Sequence, residues 1–100
     1  MPLPTVWPIP AAIDTFATVG VVDSIVVAAN VARVDCELVN DSTATIYLAR
    51  GNAAVVGSGI RINANGGSYS IGTHNLFMGD VHAIGPDGQQ NLTISEGTKP

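Results

Sequence analysis

Asp80 and His82 stand two positions apart, a spacing that puts both on one face of an extended strand. His74 lies just upstream. Two histidines and a carboxylate can in principle hold a divalent ion or act as an acid–base pair. The surrounding spacing does not follow through, because no HxH, HExxH or CxxC is present. Pairs of this kind also arise by chance on exposed strand faces. Ser68 and Ser70 lack a GxSxG elbow, and the glycine-rich stretch 51–67 holds neither GxxxxGK nor GxGxxG ahead of a helix. The expectation is therefore no catalytic, metal or cofactor residues, and no enzyme.

Cys36 is the only cysteine, which excludes an internal disulfide and a cysteine-rich zinc site. Its inward phase on a strand reads as a small core residue rather than a reactive thiol. Asn40 and Asn91 each begin an Asn-x-Ser/Thr sequon, which means little without a secretion signal. The N-terminus has neither the basic start nor the apolar middle of a signal peptide. No charge-free apolar run reaches the roughly 18 residues of a membrane span. Synthesis in a reducing cytosol is the expectation.

The elements that would carry these residues are strands. Val34, Cys36 and Leu38 alternate with Arg33, Asp35 and Glu37, and after Asn40-Asp41-Ser42 the alternation resumes with Ala44, Ile46 and Leu48. A period of two marks a half-buried strand, and Asn, Asp and Ser favour a turn. The spacing predicts a hairpin pairing Leu38 with Ala44, Cys36 with Ile46 and Val34 with Leu48, the nucleus of an all-β core. Upstream, Phe16, Val19, Val21, Val22 and Ile25–Val27 are aromatic or β-branched, which suits strands. Gly20 and Asp23-Ser24 divide them in two. A helix over 21–32 is the competing reading, from apolar residues at 22, 25, 26 and 29.

Downstream, glycines at 51, 57, 59, 66, 67 and 72 mark turns between short strands. Ile60–Ile62, Tyr69–Ile71, Val81–Ile84 and Leu92–Ile94 read as strands, with turns at Asn65-Gly66-Gly67 and Pro86-Asp87-Gly88. Residues 73–78, THNLFM, form a loop expected to cover one open end. About eight strands with turns every eight to twelve residues read as a small antiparallel β-sandwich, jelly-roll-like. The domain organisation is an extended arm over 1–12, the sandwich over 13–96 and a tail over 97–100.

The arm carries Pro2, Pro4, Pro8 and Pro10, which exclude a central strand and favour polyproline-II geometry. Leu3, Val6, Trp7 and Ile9 between them are too apolar for a solvated linker. They are the candidate partner-interface residues, with Trp7 as an anchor. Tyr47 reads equally as an interface anchor or as packing across a strand pair.

Composition points the same way. Only 12% of the 100 residues are charged, with a net charge of −4, against roughly 25% charged in ordinary soluble proteins. A small domain this poor in charge hides much of its surface in an assembly or covers it with neutral polar groups. No basic cluster exists to neutralise a phosphate backbone, so nucleic acid is not an expected partner. Nor is a membrane.

The run VARVDCELVNDSTATIYLARGNAAVVGSGIRINANGGSYSI, with GDVHAIGPDG and NLTISEG after it, resembles a pattern of small tailed-bacteriophage virion proteins. There a strand ending in an Asn-rich turn leads to a strand like TATIYL, a glycine-spaced loop, a GGSY strand and a final hairpin. The resemblance covers about residues 30–96, leaves the arm outside, and is to head decoration (cement) proteins and other capsid-associated β-sandwiches. It implies a structural protein on the outer capsid surface of a virion, bridging neighbouring subunits. Its partners would be the major capsid protein and other copies of itself, most simply as a homotrimer. The rival expectation is a host-glycan-binding or adaptor module of a phage head fibre, knob or tail.

Overall fold

The computed structural model describes residues 9–100. Eight strands follow one another: β1 (Ala12–Val19), β2 (Ser24–Val27), β3 (Arg33–Asn40), β4 (Ile46–Arg50), β5 (Ile60–Ile62), β6 (Ser68–Ile71), β7 (Val81–Ile84) and β8 (Gln90–Thr98). No helix occurs among the described residues, so none there is long and apolar enough to cross a membrane. The chain over 21–32 is turn, strand and turn rather than helix. Its valines lose χ1 freedom in a helix and pack readily on a pleated surface.

The strands form two antiparallel sheets of four, in the orders β1-β8-β3-β6 and β2-β7-β4-β5. The pairing is nested: β4 lies beside β5, β3 beside β6, β2 beside β7 and β1 beside β8. One core joins the sheets, an arrangement consistent with a β-sandwich. Cys36, Leu38, Ile71, Leu92 and Ile94 come from the first sheet, and Val27, Ile46, Leu48, Ile62, Val81 and Ala83 from the second. Period-two alternation places each of them inward. Each fully buried aliphatic side chain stabilises the fold by about 1.5–3 kcal/mol relative to exposure.

The hairpin expected between 33–38 and 44–50 is corrected. Cys36 lies opposite Ile71 and Glu96, and Leu38 opposite Tyr69 and Ile94. Ile46 lies opposite Ile62, and Leu48 opposite Ile60 and Ala83. β3 and β4 thus belong to different sheets, and residues 41–45 carry the chain across the core. Asn40, fully buried, fixes this crossing. Its Nδ2 donates to the carbonyls of Ala44 (2.8 Å) and Ile62 (3.1 Å), while its Oδ1 accepts from Ser42 Oγ (2.6 Å). The crossing is pinned to the 63–67 turn, where Gly66 N donates to Asn40 O and Asn65 N to Ser42 O, both at 2.8 Å. Asn65 (φ 60°) and Gly66 (φ 102°) are left-handed there. A side chain on Gly67 would run into the Asn63 backbone.

Two further differences concern the ends of elements. β8 continues through Gly97 and Thr98, within the expected tail. In the 73–78 loop only Phe77 packs against the core, its ring over Gly51 and Gly79. Leu76 and Met78 remain exposed.

Candidate interaction surfaces

The polar residues singled out by type do not assemble into one site. His82 Nδ1 lies 3.1 and 3.2 Å from the two carboxylate oxygens of Asp23, not against Asp80. Asp23 Oδ1 also accepts a hydrogen bond from Ala54 N at 2.7 Å. That N–H donor, helped by His82, holds the Asp23 carboxyl below the usual carboxylate range. The pair therefore ties the 51–59 loop to the turn before β2. Asp80 binds elsewhere, its Oδ1 accepting from Ala29 N (2.7 Å) and its carbonyl from Gly51 N (2.8 Å). It fastens together three segments. Among the described residues no group of three or more His, Cys, Asp or Glu is placed to hold a metal. Ser70 Oγ donates to Glu37 (2.8 Å) rather than to a base.

Cys36 is buried and free of disulfide. Burial, helped by the charge of Glu96, pushes its thiol up to about 11. Tyr47, half-buried, faces Ile84 on one neighbouring strand and Arg61 on the other.

Arg33, expected on the outward phase, is 1% exposed. A bulge between Arg33 and Asp35 sets this strand one residue out of step with β8, so Arg33 and Val34 are both buried. Arg33 Nε binds Glu96 at 2.5 Å, and its terminal nitrogens donate to the carbonyls of Phe77 (2.7 Å), Gly79 (3.0 Å) and Ala28 (2.7 Å). One guanidinium thus closes the end of the molecule formed by the 28–32 turn and the 72–80 loop.

The surface around these anchors is apolar in three places. At the Arg33 end, Val31 (82% exposed) and Met78 are brought together by the bond from Asn30 N to Met78 O (2.8 Å). Beside the Asp23–Ala54 contact, Val21, Val22, Val55 and Val56 are all exposed, with Ile25 next along β2. On the outer face of the first sheet, Phe16 is 70% exposed opposite Thr93. Next to it a shallow groove of about 250 Å³ runs between Asp14 and Glu37 over Val39 and Thr93.

Of the four arm residues, Leu3, Val6 and Trp7 lie outside the described residues. Ile9 lies within them, and its side-chain carbons fill the space that a side chain on Gly97 would need. Sequence reasoning missed three residues here. Phe16 reads only as a strand former, Asp23 only as an interruption, and Arg33 only as a solvated charge. The partners of Asp23 and Arg33 are distant in sequence, and no local pattern encodes them.

No protein-family model, curated protein or solved structure matches the chain.

Proposed function

We propose that this protein is a bacteriophage virion component of jelly-roll architecture that decorates the capsid and bridges neighbouring subunits. The nested strand pairing supports the architecture, since eight strands in two sheets with each early strand beside a late one are what two interlocked Greek keys produce. The observation that carries the function is the surface. In a chain with only 12% charged residues, exposed valine, isoleucine, leucine, methionine and phenylalanine gather in separate patches on different sides. Apolar patches on a small charge-poor domain mark contact surfaces, and several of them allow one copy to touch more than one neighbour.

The mechanism is mass action. A protein that binds the assembled shell and not its dispersed subunits stabilises the shell, and multiple bridging copies add avidity. The apolar arm, with Leu3, Val6, Trp7 and Ile9, is one such contact, and a trimer about a local threefold axis is the simplest assembly. A glycan-binding module would need an aromatic platform. Among the described residues Phe16 is the one exposed aromatic, which is little to build one from.

The test is the protein inventory of purified particles from the phage or prophage that encodes the chain, together with imaging. The chain should be present in many copies outside the major capsid protein, with neighbouring copies in contact. Absence from particles, or isolated single copies, would refute the reading.

A further inference from the structure

We infer that the free edge of β1 pairs antiparallel with β1 of a second copy, across a twofold axis at Phe16. The inference goes beyond the proposed function, since the contact needs neither the arm nor a shell. β1 ends the first sheet, with β8 on one side and no described strand on the other. The hydrogen bonds of β8 show which backbone groups of β1 are left over. Asn91 O accepts from Asp41 N, and Gly97 N donates to Asp35 Oδ1, so the odd-numbered residues of β8 turn their backbone groups towards β3. The even-numbered ones turn theirs to β1, where they meet Ile13, Thr15 and Ala17. The N–H and C=O groups of Asp14, Phe16 and Thr18 therefore point away from β8, out of the sheet.

Edge strands are ordinarily kept from pairing by shortness, lysine, proline or a bulge. β2 has four residues and an irregular register, β5 has three with the exposed Arg61 at their centre, and β6 has four. β1 has eight residues in unbroken register with β8, and neither lysine nor proline. The described chain before it turns to the other side, bending at Pro10 and laying Ile9 over Gly97 of β8. β1 is the one unguarded edge among the described strands.

The side chains select a second β1 as the partner. About a twofold at Phe16, that ring meets its own counterpart and Asp14 faces Thr18. On the inner side Ile13 faces Val19, and Thr15 faces Ala17. Aromatic and apolar pairs across strands are stabilising. β1 covers only one of its own ends: Val19 is fully buried, while Ile13 on the same side is 64% exposed. The twofold sets the bare end of each strand beside the covered end of the other, so Ile13 extends the row of Val19 and Ala17. Asp14, the only charge on the strand, excludes an axis at itself, because like charges directly opposite repel. An axis at Thr15 would lay Phe16 against Asp14. About Phe16 the two Asp14 carboxylates stand roughly 14 Å apart along the strands, beyond the Debye length in physiological salt. A second β1 supplies this order of side chains by symmetry alone.

Disulfide trapping tests the register, because Cys36 is buried and no other thiol is present. In the full-length chain, a mixture of Asp14→Cys and Thr18→Cys should form disulfide-linked pairs under mild oxidation, since directly opposed residues lie within disulfide reach. Either variant alone should form none. Phe16→Lys, which sets two ammonium groups face to face, should weaken self-association in sedimentation about 30-fold, the effect of losing an interface hot spot. Its melting temperature should match that of the unaltered chain at a dilution where both are monomers. A mixture that fails to link, single variants that link as readily as the mixture, or self-association indifferent to Phe16→Lys would overturn the inference. So would a chain that stays monomeric at millimolar concentration, with its own residues 1–8 or a foreign strand on the edge. A chain that pairs through β1 yet is missing from particles would refute the virion reading and keep this contact.

Discussion

Arg33 and Cys36 are the two residues at which an ionisable group meets the interior. Arg33 has no exposed surface on its side chain and Glu96 has 17%, so their interaction is shielded from water. Truncating Arg33 to alanine leaves Glu96 and three carbonyls without their donor and should cost about 3–5 kcal/mol. That is a large share of a total stability of roughly 5–15 kcal/mol. Urea unfolding measures it, and the double variant Arg33→Met/Glu96→Leu should recover much of the loss. A loss in the double variant equal to the sum of the losses at the two positions would show that the charges are not coupled. Cys36 has its thiol pushed up to about 11 from 9.0. Between these values the unfolded chain has released the proton that the folded chain keeps, so this group's contribution to stability falls as pH rises from 9 towards 11. The native thiol should react with thiol reagents at neutral pH only as fast as the domain opens. Rapid labelling of the folded protein would contradict its burial. Cys36→Asp should unfold the domain, because it buries a carboxylate without a partner.

At the scale of elements, the 51–59 loop depends on Asp23. The folded-state pKa of Asp23 lies below the ordinary aspartate value of 3.8. The unfolded chain therefore binds the proton first as pH falls. The contribution is complete above 3.8, and acidification removes it as pH drops through the folded value. Amide exchange at Ala54 should accelerate in that acid range, and Asp23→Ala should show the fast exchange at neutral pH. Unchanged protection in Asp23→Ala would mean that the loop is held by other contacts. His82→Ala should change the unfolding midpoint little, because its pair with Asp23 is partly exposed to water. His74 and His82 should both be dispensable for folding.

The elements themselves were legible in the sequence, and their partners were not. Val34, Cys36 and Leu38 are buried as their alternation requires, and so are Ile46 and Leu48. Alternation reports which side of a strand is apolar, not which strand lies beside it. A hairpin and a crossing between sheets satisfy the same pattern, and Asn40 decides between them from inside the core. The bulge that turns Arg33 inward leaves no mark on the pattern either. The Phe16 face was legible only as strand, because aromatic and β-branched residue types mark a strand without telling which of its sides turns away from the other sheet.

Across the whole molecule, almost every strand pair joins distant parts of the chain; β4–β5 is the most local. Non-local pairing slows folding, because loop entropy is lost before contacts compensate for it. Refolding from denaturant should take milliseconds to seconds, as followed by far-ultraviolet circular dichroism. Microsecond refolding would be inconsistent with this topology.

β8 also has a consequence for biosynthesis. It is the inner neighbour of both β1 and β3, and of these eight strands it is the last to leave the ribosome. A nascent chain that has emerged through Ile84 holds every strand of the second sheet, but only the β3–β6 pair of the first. Until residues 90–98 appear, β1 has no partner and the inner edge of β3 is bare. The first sheet can be completed only when translation of those residues is finished. In that interval the newborn chain presents an open slot one strand wide, to which a chaperone or a neighbouring nascent chain has access before β8 does.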